Sequence, residues 1–217
     1  MNKKIFDAYN FLIEGDDIER IKKILVRYEL YKLSQDVPGD ILECGVFKGT
    51  GHIFWLKLLK IFDPNSLKKV VGFDTFEDFA KTALKFERKA AKNFLNETNF
   101  NAKNLFKIVE SKIKKAGLND RSILIKGDIK ITSKKYVKDN RGFRISLLHL
   151  DLDTYEGTKN ALINFFPHIS PGGVIILDEY GSRGWGESEA VDEFLNNKNL
   201  KLKKVKFSSK PTAYIIK

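Results

Sequence analysis

The chain has 217 residues, 42% of them hydrophobic, and carries 39 lysines and arginines against 28 aspartates and glutamates, a formal net charge of +11. That length suits a single domain over residues 1–217 with a sizeable core. No apolar run approaches the length of a bilayer span, and the first residues lack the apolar centre of a signal peptide, so a cytoplasmic protein without a membrane partner is expected. The one cysteine, Cys44, excludes an intrachain disulfide and reads as a small buried residue.

In chain order, residues 1–37 form an N-terminal helical segment, with Ile18, Ile21, Ile24, Leu25 and Tyr28 at helical spacing. After Pro38-Gly39, Asp40 to Gly45 reads as a buried strand, Val46 to Gly51 as a glycine loop and His52 to Phe62 as a helix. Lys69 to Asp74 is a second strand, and the order strand, loop, helix, strand makes a βαβ unit. Residues 75–118 read as a helical insertion or lid. Further strands are expected at Ser122 to Asp128, Ile145 to Leu150 and Val174 to Leu177, with a helix from Thr158 to Phe166. Lys201 to Phe207 and Ala213 to Ile216 read as a C-terminal hairpin. The fold class is therefore α/β, a Rossmann-like sheet of seven mostly parallel strands with helices on both faces.

Two of these strands end in paired acids, Asp151 with Asp153 and Asp178 with Glu179. The carboxyl ends of parallel strands form the ligand-binding edge of such a sheet, and gathered carboxylates suit a hard divalent cation such as Mg²⁺. The loop Glu43-Cys44-Gly45-Val46-Phe47-Lys48-Gly49-Thr50 follows a strand and opens a helix, which lets a ligand approach the backbone closely. It has neither the P-loop nor the spaced dinucleotide pattern. Asp74, ending the second strand, is placed to bond ribose hydroxyls, with Thr75 and Phe76 beside it and Gly127-Asp128 at a possible adenine edge. A nucleoside ligand follows, and S-adenosyl-L-methionine fits this architecture better than NAD.

His149 is expected to lie away from the Asp151 carboxylate as a buried or supporting residue, and His52 and His168 are given no role. Tyr155, Tyr180, Arg183 and Trp185 are candidates for the acceptor pocket, with packing an equal reading for the aromatics. The lysine excess, dense in residues 81–115, 121–144 and 198–217, is read mainly as solvated surface. A phosphate-bearing small molecule is its next use, and nucleic acid is an unlikely partner.

The runs from Pro38 to Gly49, Phe73 to Glu77, Leu150 to Thr158, Ser170 to Gly181 and Glu189 to Asp192 resemble the macrocin O-methyltransferase family across most of residues 38 to 195. The resemblance implies a class I methyltransferase fold, S-adenosylmethionine as methyl donor, Mg²⁺ and a small-molecule hydroxyl acceptor such as a sugar, glycoside or sugar nucleotide; the alternatives are a metal-dependent catechol-type O-methyltransferase and an RNA-binding or RNA-modifying protein that uses the basic surface. It would make Asp151, Asp178 and Glu179 the metal ligands, Asp153 the general base, and Gly45, Gly49 and Asp74 cofactor contacts. The family usually has two aspartates before the tyrosine, where this chain has Asp178-Glu179. A homodimer is also common in that family, and the N-terminal amphipathic helix would offer an interface.

Overall fold

A computed structural model of the chain describes residues 2–78 and 83–217. The Lys-rich run beginning at Lys81 thus lies partly outside the described residues. The helix α1 (Lys3–Glu14) precedes α2 (Ile18–Ser34), β1 (Asp40–Cys44), α3 (Thr50–Phe62) and β2 (Val70–Asp74). Then come α4 (Arg88–Glu97), α5 (Leu105–Lys115), β3 (Ser122–Lys126), α6 (Ile129–Asp139), β4 (Ile145–Leu150), α7 (Tyr155–Phe165), β5 (Ile169–Leu177), α8 (Glu187–Leu195) and β6 (Ala213–Ile216). The sheet order is β3-β2-β1-β4-β5-β6, parallel throughout except that β6 runs antiparallel to β5.

The central strands are apolar at nearly every position because both of their faces are covered. Alternate side chains divide between two cores. Ile41, Val70, Leu147 and Ile176 meet Val26 and Leu30 of α2, Trp55 and Leu59 of α3 and Val109 of α5. Their neighbours Leu42, Val71, Leu148 and Ile175 meet Ile129 of α6, Leu162 and Phe165 of α7 and Val191 of α8. This strict alternation decides which side of the sheet each functional residue faces.

Among the described residues six strands form, where seven were expected. Lys201 to Phe207 contributes one bridge, in which the Lys203 N–H donates to Tyr214 O (2.8 Å) and the Tyr214 N–H to Lys203 O (2.9 Å). The chain then turns, with the Ser208 N–H donating to Val205 O at 2.9 Å, before a second pair can form. β5 is longer than expected because it takes in Pro171-Gly172-Gly173 as an irregularity in its pairing with β4. Bulged pairing accommodates a proline that cannot donate to the ladder. α6 and α8 were not anticipated; α6 is capped by Asp128, whose carboxylate accepts from the Lys130 N–H at 2.8 Å.

The expected insertion is helical in its described part. It lies against the glycine loop: Phe47 packs on Phe94 (centroids 5.4 Å apart) and Phe100 (5.7 Å), and Lys112 Nζ donates to Lys48 O at 3.0 Å. Among the described residues no helix is long and apolar enough to cross a membrane. α1 buries none of its side chains.

Candidate active site

The parallel ladder runs one residue past the strand ends and so lines the site residues up. The Gly45 N–H donates to Phe73 O (2.8 Å), Gly127 to Asp74 O (2.9 Å), Asp151 to Cys44 O (2.8 Å) and Asp178 to Leu150 O (3.0 Å). Asp74, Gly45, Asp151 and Asp178 thereby form one row along the carboxyl edge, and Gly127 lies one residue beyond Lys126, the partner of Asp74. Gly45 is required at the centre of it: its φ is +99°, and a Cβ there would stand 1.8 Å from the Asp151 carbonyl oxygen. The glycine loop and the acidic end of the edge thus abut through backbone.

At the acidic end, ligand atoms of His149, Asp151 and Asp178 lie within 4.8 Å of one another. β4 stops at Leu150, and Asp153 has a φ of +62° with the Thr154 N–H donating to Leu152 O at 2.6 Å across it. This tight turn keeps Asp153 from continuing the strand beside Asp151, and non-glycine residues held at positive φ concentrate at functional sites. Burial, then the Asp178 charge, pushes the Asp151 carboxyl up to about 7. Burial and the charges of Asp151, Glu179 and Asp178 push Asp153 well above the carboxylate range, opposed by Lys210. Asp178 is buried too, yet His149 and the Lys23 ammonium 3.8 Å away hold it below the usual range.

Glu179 turns to a different partner. Its Oε1 is paired with Lys210 Nζ, its Oε2 has no hydrogen-bond partner, and its backbone N–H donates to Glu187 Oε1 at 2.9 Å. Glu187 is fully buried, and its carboxyl is pushed well above its ordinary value by burial and by Asp178, Asp153 and Asp151. Crowded carboxylates of this kind are what a divalent cation relieves. The oxygen donors of Asp151 and Asp178 fit a hard cation such as Mg²⁺.

His149 does not lie away from Asp151. The two are two residues apart and share one side of the strand, which the expectation from sequence misplaced. Its Nε2 is 3.4 Å from Asp178 Oδ1 and its Nδ1 is 3.5 Å from Glu43 Oε1, so both ring nitrogens face carboxylates and the ring supports Asp178 from behind. Burial would lower its pKa; Asp178 and Glu43 raise it to about 8.

Glu43, grouped by sequence with the cofactor loop, is 1% exposed and faces the α2 and α3 side of the sheet. Its other oxygen is 3.4 Å from His52 Nδ1, and His52 Nε2 is 2.8 Å from Ser122 Oγ. Burial resists its ionisation, but His149 and His52 hold Glu43 at about 2. Buried Arg27 lies 5.7 Å over the Trp55 ring beside this chain. His52, given no role in the sequence analysis, is thus a partner of Glu43.

At the other end of the edge, Asp74 Oδ2 accepts from the Phe47 N–H (2.7 Å) and Oδ1 from the Phe76 N–H (2.6 Å). Its carboxylate thus ties the glycine loop to the loop after β2, and burial raises its pKa against those N–H groups. Gly49 caps α3 with no side-chain hydrogen bond, and Thr50 beside it is exposed. The first-turn N–H groups there suit the carboxylate of an amino-acid moiety, and the free lone pairs of Asp74 suit hydroxyl donors. Of the other candidates, Asp128 is exposed at the rim, Thr75 Oγ1 accepts from the Glu77 N–H at 3.2 Å, and Val46 and Phe76 are buried. Phe76 packs edge-on against Phe106.

The aromatic candidates are otherwise engaged. Tyr155 OH pairs with Glu193, and Tyr180 OH donates to Asp192 Oδ1 at 2.8 Å, both on α8. Trp185 packs beside Ala83, Ala91 and Leu95. A buried residue that sequence missed fastens this region: Glu87 Oε1 accepts from the Tyr155 N–H (2.7 Å) and Oε2 from the Leu84 N–H (2.6 Å).

A family model described as Macrocin-O-methyltransferase (TylF) matches residues 19–210. The 8-demethyl-8-(2,3-dimethoxy-alpha-L-rhamnosyl)-tetracenomycin-C 4'-O-methyltransferase of Streptomyces olivaceus is 30% identical over 149 residues, 68% of this chain and 55% of that protein. The Mycinamicin III 3''-O-methyltransferase of Micromonospora griseorubida is 30% identical over 151 residues, 68% of this chain and 58% of that protein. The chain therefore spans little more than half the length of these relatives. Among solved structures, CalS11, a TDP-rhamnose 3'-O-methyltransferase of calicheamicin biosynthesis, aligns with a TM-score of 0.72 and 26% identity. That alignment covers 96% of this chain and 84% of CalS11.

Proposed function

Because the chain belongs to the macrocin-O-methyltransferase family, we propose that it transfers the methyl group of S-adenosylmethionine to a hydroxyl of a sugar, glycoside or sugar nucleotide. The observation that carries this reading is the abutment at Gly45 of a glycine loop suited to a nucleoside and an acidic cluster suited to a cation. Two of the relatives named above are described by a rhamnosyl group or a TDP-rhamnose that they methylate, which supports a sugar as acceptor here.

An aliphatic hydroxyl is a poor nucleophile because it stays protonated at neutral pH, so the site must orient it and take its proton as the new C–O bond forms. Asp153 is the proposed base: it projects from the turn after β4 and is almost buried, and burial together with the anions around it raises the affinity of its carboxylate for a proton. Asp151 and Asp178 would hold the divalent cation, which when bound lowers the pKa of a coordinated hydroxyl and fixes its position. His149 and Lys23 keep Asp178 ionised for that purpose. Asp74, with Gly45, Gly49 and the first turn of α3, would hold the nucleoside and amino-acid ends of the methyl donor. Residues 1–217 act as one unit in this reading, in the cytoplasm.

Incubation with methyl-labelled S-adenosylmethionine and a panel of rhamnosides and deoxysugar nucleotides, with Mg²⁺ or with EDTA, tests it. Label transfer to at least one acceptor that EDTA abolishes and Mg²⁺ restores is expected. Transfer to RNA in place of every sugar would overturn it.

A further inference from the structure

Among the acids at this end of the edge, Glu179 has its carboxylate paired with a lysine from a distant part of the chain. It is 5% exposed, and it is absent from the group of ligand atoms that Asp151 and Asp178 share with His149. A buried carboxylate must be compensated, and here the compensation comes from within the chain. Lys210 Nζ reaches it from the segment between Phe207 and β6. We propose that the Lys210 ammonium is a built-in cation of the acidic site, engaging Glu179 so that an arriving divalent cation is held by Asp151 and Asp178 and must compete with a tethered positive charge. This rests on the metal-assisted reading above.

Three observations support it. The Glu179 main chain is fixed by its N–H donating to Glu187 Oε1 at 2.9 Å, and with Oε2 buried without a hydrogen bond its carboxylate relies on Lys210 for compensation. The Lys210 segment is anchored on the sheet by the Thr212 N–H donating to Leu177 O at 3.0 Å, which aims the lysine at the strand end that carries Asp178. Lys210 also has room to withdraw: its side chain is 47% exposed, and its neighbours Ser209 and Thr212 line an open cleft of about 410 Å³. A lysine suits this task, being a single charge on a flexible stem. With Lys23 beside Asp178 and Lys210 beside Glu179, two ammonium groups offset part of the carboxylate charge at this end of the edge. The arrangement keeps the metal-free fold tolerable and weakens metal binding.

Calorimetric titration with Mn²⁺ alone, on the full chain, tests this. Lys210→Met should bind Mn²⁺ about tenfold more tightly than wild type, a shift of about 1.4 kcal/mol. Lys210→Gln should do the same and guards against a misfolded methionine variant. Lys210→Arg, which keeps the charge, should bind as wild type does. Adding Glu179→Gln to Lys210→Met should cancel the gain. Unchanged or weaker binding in both neutral variants, while Asp151→Asn abolishes binding, would overturn the proposal and leave the metal site standing. No Mn²⁺ binding by any variant would overturn both.

Discussion

The two ends of the carboxyl edge solve opposite problems. At the β1, β2 and β3 end, the buried acid is satisfied by the chain itself: both oxygens of Asp74 accept backbone N–H groups from the loops they organise. At the β4 and β5 end, Asp151, Asp153, Asp178 and Glu179 have few N–H donors and face one another, with two lysines and a histidine as partial compensation. A site finished by backbone is rigid and ready for a neutral or hydroxyl-bearing ligand. One left electrostatically short would be completed by the cation proposed for it. The comparison predicts that the two ends can be damaged separately.

The largest effect is expected from Asp153→Asn, which should lower the rate of methyl transfer by about 10²- to 10⁴-fold, as loss of a general base does. Binding of S-adenosylhomocysteine, measured by calorimetry, should be unchanged; a parallel loss of that binding would break the division between the two ends. Next is Glu43→Ala, which leaves His52 and His149 buried without their common carboxylate and should destabilise the fold by about 3–5 kcal/mol in urea unfolding. Asp74→Ala should weaken S-adenosylhomocysteine binding about 10- to 100-fold, the loss expected of hydrogen bonds to a charged group, while Mn²⁺ affinity stays the same.

A smaller and more diagnostic effect concerns pH. Asp151 titrates at about 7 when folded, far above an unfolded aspartate, so the folded state binds the extra proton and stability falls as pH rises from about 4 to about 7. His149, raised to about 8, contributes stability that is present below about 6.5 and is lost as pH rises through its folded value. Glu43, held at about 2, acts in the opposite sense and contributes stability that is lost only as pH falls below the ordinary glutamate range. The melting temperature of metal-free protein should therefore decline between about pH 5 and pH 8, and saturating Mg²⁺ should flatten the decline. A flat metal-free profile would mean that the acidic end is not electrostatically short.

The acidic end was more legible in the sequence than the chain of contacts behind it. Strands ending in acids announce a row of carboxylates because strand direction and ladder spacing leave them nowhere else to go. Glu43, His52 and His149 could not be assigned that way. Their meeting depends on the facing of α3 against β1 and β4, a tertiary relation that a local pattern does not carry. The same holds for Lys210, remote from Glu179 in sequence and brought to it by the return of β6 alongside β5. The loss of the seventh strand is a local matter: the turn after Val205 leaves room for one bridge only.

The measurement that bears most directly on the division of the site is calorimetric titration of metal-free protein with S-adenosylhomocysteine, repeated with Asp74→Ala and with Asp151→Asn. Saturable binding that needs no metal, weakens in Asp74→Ala and persists in Asp151→Asn is the predicted result. No binding by the wild-type protein, or binding lost in Asp151→Asn and kept in Asp74→Ala, would contradict the account.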